Sequence, residues 1–142
     1  MIHSLFYLIL LFWFLQTEHP LEGKWKMYRS ESFENILTSK NFQLQDEEQQ
    51  QAVAEAFNKV INGYFYDFKK DTVIFTNYSN FEIHELKGIW WTEGDTLIIG
   101  RLDKISTQKY FISKLDNKEL HLQLIVPRQA EPSKSRWMYK KE

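Results

Sequence analysis

The stretch Tyr64-Phe65-Tyr66-Asp67-Phe68-Lys69-Lys70-Asp71-Thr72-Val73-Ile74-Phe75 decides the fold. Tyr64, Tyr66 and Phe68 recur at every second position, the period of a pleated strand with one apolar face. Lys69, Lys70 and Asp71 interrupt the pattern with turn chemistry, and Val73 and Phe75 resume it. Phe68 and Val73 bracket a four-residue connection, so they share a face. That parity gathers Tyr64, Tyr66, Phe68, Val73 and Phe75 on one side of a hairpin, because side chains alternate strictly along each strand.

The same alternation runs outward in both directions. Strands are expected over 24–29, 64–68, 72–77, 81–91, 96–102, 108–115, 119–126 and 135–140. Ser79-Asn80, Glu93-Gly94-Asp95 and Asp116-Asn117-Lys118 mark further turns between them. Short connections in strict succession describe an all-β, antiparallel up-and-down meander of eight strands or slightly more. Eight strands suffice to close a barrel that holds side chains or one small ligand, and closure removes exposed edges. Leu97 and Ile99, Tyr110 and Ile112, and Leu120, Leu122 and Leu124 extend the inward stripe, and Trp137 and Tyr139 complete it. The opposite face is expected to carry Asp67, Arg101, Ser113, His121, Gln123 and Lys140 in water. Ile74, Ile98 and Ile125 break the alternation, as residues beneath a helix or beside a β-bulge would.

One helix interrupts the meander between the first two strands. Asp46 is placed to cap it, Gln49 stands at the capping-box position and Gly63 supplies the stop. Val53, Ala56, Phe57, Val60 and Ile61 fall on one face, opposite Glu47, Glu48, Gln51, Glu55 and Lys59. Such a stripe must cover something apolar. Val53, Phe57, Val60 and Ile61 are therefore expected to close one barrel end, as a fixed cover or as a lid. A short turn over 32–37 is expected beside them.

Composition narrows the function. The chain has 142 residues, enough for one domain with a single core. A formal net charge of -1 with scattered Lys and Arg argues against nucleic acid as a partner. Residues 1–19 read as a secretory leader: 4–15 (SLFYLILLFWFL) is apolar and uncharged, and shorter than the roughly 18 residues of a membrane span. The remaining domain, 20–142, is then exported to the periplasm or beyond, with no stable membrane span after leader removal. With no Cys, the chain has no disulfide, no thiolate chemistry and no lipid-modified cysteine anchor.

Gly23-Lys24-Trp25 is similar to the G-x-W that opens the first strand of lipocalins, within the calycin superfamily. The layout resembles bacterial lipocalin-like proteins over most of residues 21–141. It includes Asp67-Phe68-Lys69-Lys70-Asp71, Gly94-Asp95-Thr96-Leu97-Ile98-Ile99 and Tyr110-Phe111-Ile112-Ser113-Lys114-Leu115 before Leu120-His121-Leu122. The resemblance implies that Gly23 and Trp25 close one barrel end, with Arg136 packed across the Trp. It also implies a small hydrophobic or amphipathic ligand, no cofactor and a monomer. A second resemblance joins Gly23-Lys24-Trp25-Lys26-Met27 and Ser30-Glu31-Ser32-Phe33 to the opening of fatty-acid-binding proteins. Those grip a carboxylate with an R-x-Y pair. Here Arg136 and Tyr139 stand two residues apart, so a regular strand points them oppositely.

Catalytic signatures are missing. His3, His19, His84 and His121 show no metal-ligand spacing, and the chain has no G-x-S-x-G elbow, phosphate loop or dinucleotide fingerprint. Glu82 with His84 reads as a solvated pair, and Glu93 with Asp95 as turn residues. The chain is expected to be a non-enzymatic ligand binder of the bacterial envelope. The alternative is a ligand-free module with a filled core, in which Trp90 or Trp91 anchors a partner. The residues proposed to line the ligand site are Tyr64, Tyr66, Phe68, Phe75, Ile99, Tyr110, Ile112, Leu122 and Tyr139.

Overall fold

β1 (Gly23–Ser30), β2 (Phe65–Phe68), β3 (Thr72–Ser79) and β4 (Glu82–Glu93) lead into β5 (Thr96–Arg101), β6 (Thr107–Leu115), β7 (Glu119–Ile125) and β8 (Trp137–Lys141). Each strand pairs antiparallel with the next, and β8 returns to β1, closing an eight-stranded barrel. The computed structural model describes residues 18–129 and 131–142. The apolar segment 4–15 lies outside them. The predicted register of the first hairpin is present, with Tyr66 opposite Phe75 and Phe68 opposite Val73.

Topology gives the barrel two unlike ends. The tight turns after β2, β4 and β6 meet the start of β1 at one end, the floor. The longer connections after β1, β5 and β7, with the β3–β4 turn, ring the other end, the mouth. The floor is solid. Leu21 and Trp25 have no exposed surface, and they pack with Phe68, Val73, Trp90, Leu97 and Leu120. Both buried indoles are satisfied: Trp25 Nε1 donates to the Leu21 carbonyl at 2.8 Å, and Trp90 Nε1 to that of Lys69 at 2.9 Å.

Three helices occupy the first connection, where one helix and a turn were expected: α1 (Glu31–Leu37), α2 (Lys40–Gln43) and α3 (Glu47–Gly63). Each starts at an oxygen-bearing side chain, Ser30, Ser39 and Asp46, that accepts a backbone N–H three residues on. Asp46 was legible because an amphipathic run follows it; Ser39 opens only one turn. Val60 and Ile61 of α3 join the core, and Phe57 stacks on Phe33 of α1 with ring centroids 4.0 Å apart.

Several faces differ from expectation. Arg101 shares the inward parity of Leu97 and Ile99, and its side chain, only 14% exposed, lies at the barrel mouth. His121 does sit on the outer side of β7, yet it is 7% exposed, opposite the buried Met138. Tyr28, Lys114 and Glu119 are joined by hydrogen bonds beside it. Trp90 points into the core, so of the two indoles proposed as partner anchors only Trp91 is exposed. Ile98 points to the outer face yet is only 2% exposed, with Trp91 and Lys109 as its cross-strand neighbours. The bulges fall elsewhere, between Met27 and Arg29 and between Ile112 and Lys114. Phe81, expected in a strand, occupies the β3–β4 turn with φ 64°.

Candidate ligand-binding site

Above the filled floor the barrel is hollow. A cavity of about 220 Å³ opens toward the mouth, lined by side chains from every strand but β1, with Tyr64 at the end of α3. Tyr66 is its centre: its ring lies 5.2 Å from that of Tyr139, 6.3 Å from Phe75 and 6.5 Å from Tyr110. Tyr64 stacks obliquely on Trp137 at 6.4 Å. These contacts follow from period-two placement of aromatics on strands that face one another around a common axis.

Polar groups are few and specific. Burial holds the phenols of Tyr66 and Tyr139 well above their usual range, so both stay O–H donors even in alkaline solution. Tyr110 is raised by burial as well, and its hydroxyl donates to Gln108 Oε1 at 2.9 Å. Asn77 Oδ1 is buried against the cavity and has no hydrogen-bond partner among the described residues. A buried acceptor of this kind needs a water or a ligand.

Of the residues proposed from sequence, Tyr64, Tyr66, Phe75, Tyr110 and Tyr139 line the cavity. Phe68, Ile99 and Leu122 belong to the packed core, and Ile112 packs against it half-buried. The lining also takes in Leu86, Arg101 and Gln108. Gln108 and Arg101 carry the parity of Tyr110 and Ile99, so the sequence holds the signal, although the charge of Arg101 argues for the outer face. Val60 and Ile61 reach the core, whereas Val53 and Phe57 lie only partly covered along α3.

Trp25 lies buried in the floor, and Arg136 does not pack across it. The β1–β8 register sets Trp25 opposite Lys141, whose Nζ lies 5.2 Å above the indole. Arg136 precedes β8 at the far end of β1, where its guanidinium and backbone N–H bind Glu31. No clamp of Arg136 with Tyr139 forms: Tyr139 faces the cavity while Arg136 is held by Glu31.

Neither protein-family models nor curated proteins match the chain. Solved structures do. A lipocalin-like protein from Bacteroides uniformis superposes with a TM-score of 0.55 over 87% of this chain and 100% of its own, at 14% identity. An uncharacterised protein from Bacteroides eggerthii gives 0.50 over 85% and 98%, at 11% identity. The fold is lipocalin-like. At such identities the likeness concerns backbone architecture.

Proposed function

We propose that this protein is a non-enzymatic, lipocalin-like binder of one small hydrophobic or amphipathic molecule, held in the aromatic cavity. The observation that carries this reading is the hollow upper half bounded by Tyr64, Tyr66, Phe75, Leu86, Tyr110 and Trp137. A cavity of about 220 Å³ exceeds the ~150 Å³ apolar void that accepts benzene, so it has room for a ring or a short chain. The Tyr66 and Tyr139 hydroxyls and the lone Asn77 oxygen supply the few polar contacts that orient a ligand in such pockets. The apolar run 4–15 supports export to the envelope.

Titration with a panel of small aromatic and alkyl probes tests the reading, because Trp137 in the wall reports occupancy by its fluorescence. Saturable quenching is expected, weakened in Leu86→Trp, which fills the cavity. A flat signal across the panel would remove the proposal. It would favour the ligand-free module, for which the packed floor speaks. Mass spectrometry of exported protein checks the leader: intact Met1 would rule out cleavage.

A further inference from the structure

Beside the cavity, a second and larger hollow of about 680 Å³ runs over the mouth between the β5–β6 and β7–β8 connections. The two share Arg101, Gln108 and Leu124 as a common wall. Their chemistry differs sharply. The cavity is aromatic, whereas the outer groove is lined by Arg101, Lys104, Lys109 and Arg128 over a bed of Leu124, Ile125, Val126 and Pro127, with no acidic residue among the described residues of its wall. Four cations on one side of a protein whose formal charge is -1 are a local excess that the overall balance conceals. Asp103 binds one of them, Arg101, through Nε and Nη2. A guanidinium has five N–H donors, so that pairing leaves others for a second acceptor.

We infer that the ligand is an anionic amphiphile whose apolar part enters the cavity and whose negatively charged head rests among Arg101, Lys104, Lys109 and Arg128 in the outer groove. This rests on the reading of the cavity as an apolar binding site. The arrangement places the cations at the mouth, so the head keeps part of its hydration and the charges need not be buried. Only the chain is desolvated, which is the favourable half of the transfer. Partial exposure also makes the attraction sensitive to salt, since exposed charges are screened over about 8 Å at physiological ionic strength.

The test uses three probes with the same eight-carbon chain and different heads: octyl sulfate, octanol and octyltrimethylammonium, each below its micellar concentration, followed by tryptophan fluorescence. Octyl sulfate is expected to bind about 10-fold more tightly than octanol, with the cation weakest, and the preference should shrink several-fold in about 0.5 M NaCl. In a Lys104→Gln, Lys109→Gln, Arg128→Gln variant, all changes on surface loops and strand exteriors, the ratio of sulfate to octanol affinity should approach one. Equal affinities for the sulfate and the alcohol in the unaltered protein, or a ratio unmoved by the triple change, would overturn the head-group assignment and leave the apolar site standing. Saturable binding of none of the three would remove both.

Discussion

Glu31 ties the first helix to the last strand: it accepts from the Arg136 backbone N–H and from its guanidinium, and its own N–H donates to the Arg136 carbonyl. Hydrogen bonds from Arg136 hold the Glu31 carboxyl at about 2, against an ordinary 4.5. A folded-state value below the unfolded one means stability that is present above about 4.5 and is lost as pH falls toward 2. Glu31→Gln should therefore flatten one share of the acid limb of a stability–pH curve measured by urea unfolding. His121 acts higher on the scale. Burial lowers its pKa from 6.5, so the unfolded chain takes up the proton first and stability declines as pH drops below 6.5. His121→Gln should reduce that slope near neutrality and leave the lower limb intact; an unchanged slope would show that His121 is not the group responsible. Trp25→Ala should cost about 3–5 kcal/mol, as truncation of a fully buried large side chain does. A loss below about 1 kcal/mol in the same assay would contradict its place in the floor.

At the level of strands, Gly88 of β4 stands against the backbone of Gly100 in the paired strand β5. A Cβ on Gly88 would stand 2.5 Å from the Gly100 carbonyl oxygen and 3.2 Å from the Phe75 ring. The contact with backbone cannot be relieved by a rotamer change, so Gly88→Ala should destabilise by about 1–3 kcal/mol in thermal or urea unfolding. A neutral substitution would mean that the two strands separate freely there. The strands were legible in the sequence because Tyr64, Tyr66, Phe68, Val73 and Phe75 repeat with period two and turn residues punctuate them. Their lateral offset was less so. The β1–β8 pairing carries an irregularity between Met27 and Arg29, and nothing local announces it. The register itself, with Trp25 opposite Lys141 and Ser30 opposite Trp137, puts Lys141 over Trp25 and Arg136 beyond the far end of β1. Arg101 was legible by parity with Leu97 and Ile99, but its charge argued for water. Only the three-dimensional mouth shows how an inward Arg reaches solvent and Asp103. Likewise, β7 alone gives no sign that neighbouring strands bury His121 on the outer face.

The whole molecule divides into a packed half and a hollow half, and β7 samples both. Leu122 and Leu124 share the inward parity, yet Leu122 is 1% exposed in the core while Leu124, at the mouth, is 36% exposed. Leu122→Ala should cost about 2–5 kcal/mol, whereas Leu124→Ala should fall below about 1 kcal/mol in the same urea titration. Equal losses would mean that the core extends to the mouth. The barrel as a class was readable from eight alternating segments. The boundary between packed and hollow was not, because it depends on how aromatic rings from opposite walls meet across the axis.

That division has a bearing on how such a chain can diverge. Where the ring of strands is anchored by one plug of side chains, substitutions at the opposite rim escape most of the selection that guards folding. Rim residues such as Lys104 and Arg128 are then free to be exchanged one at a time, each new set remaking what the barrel admits.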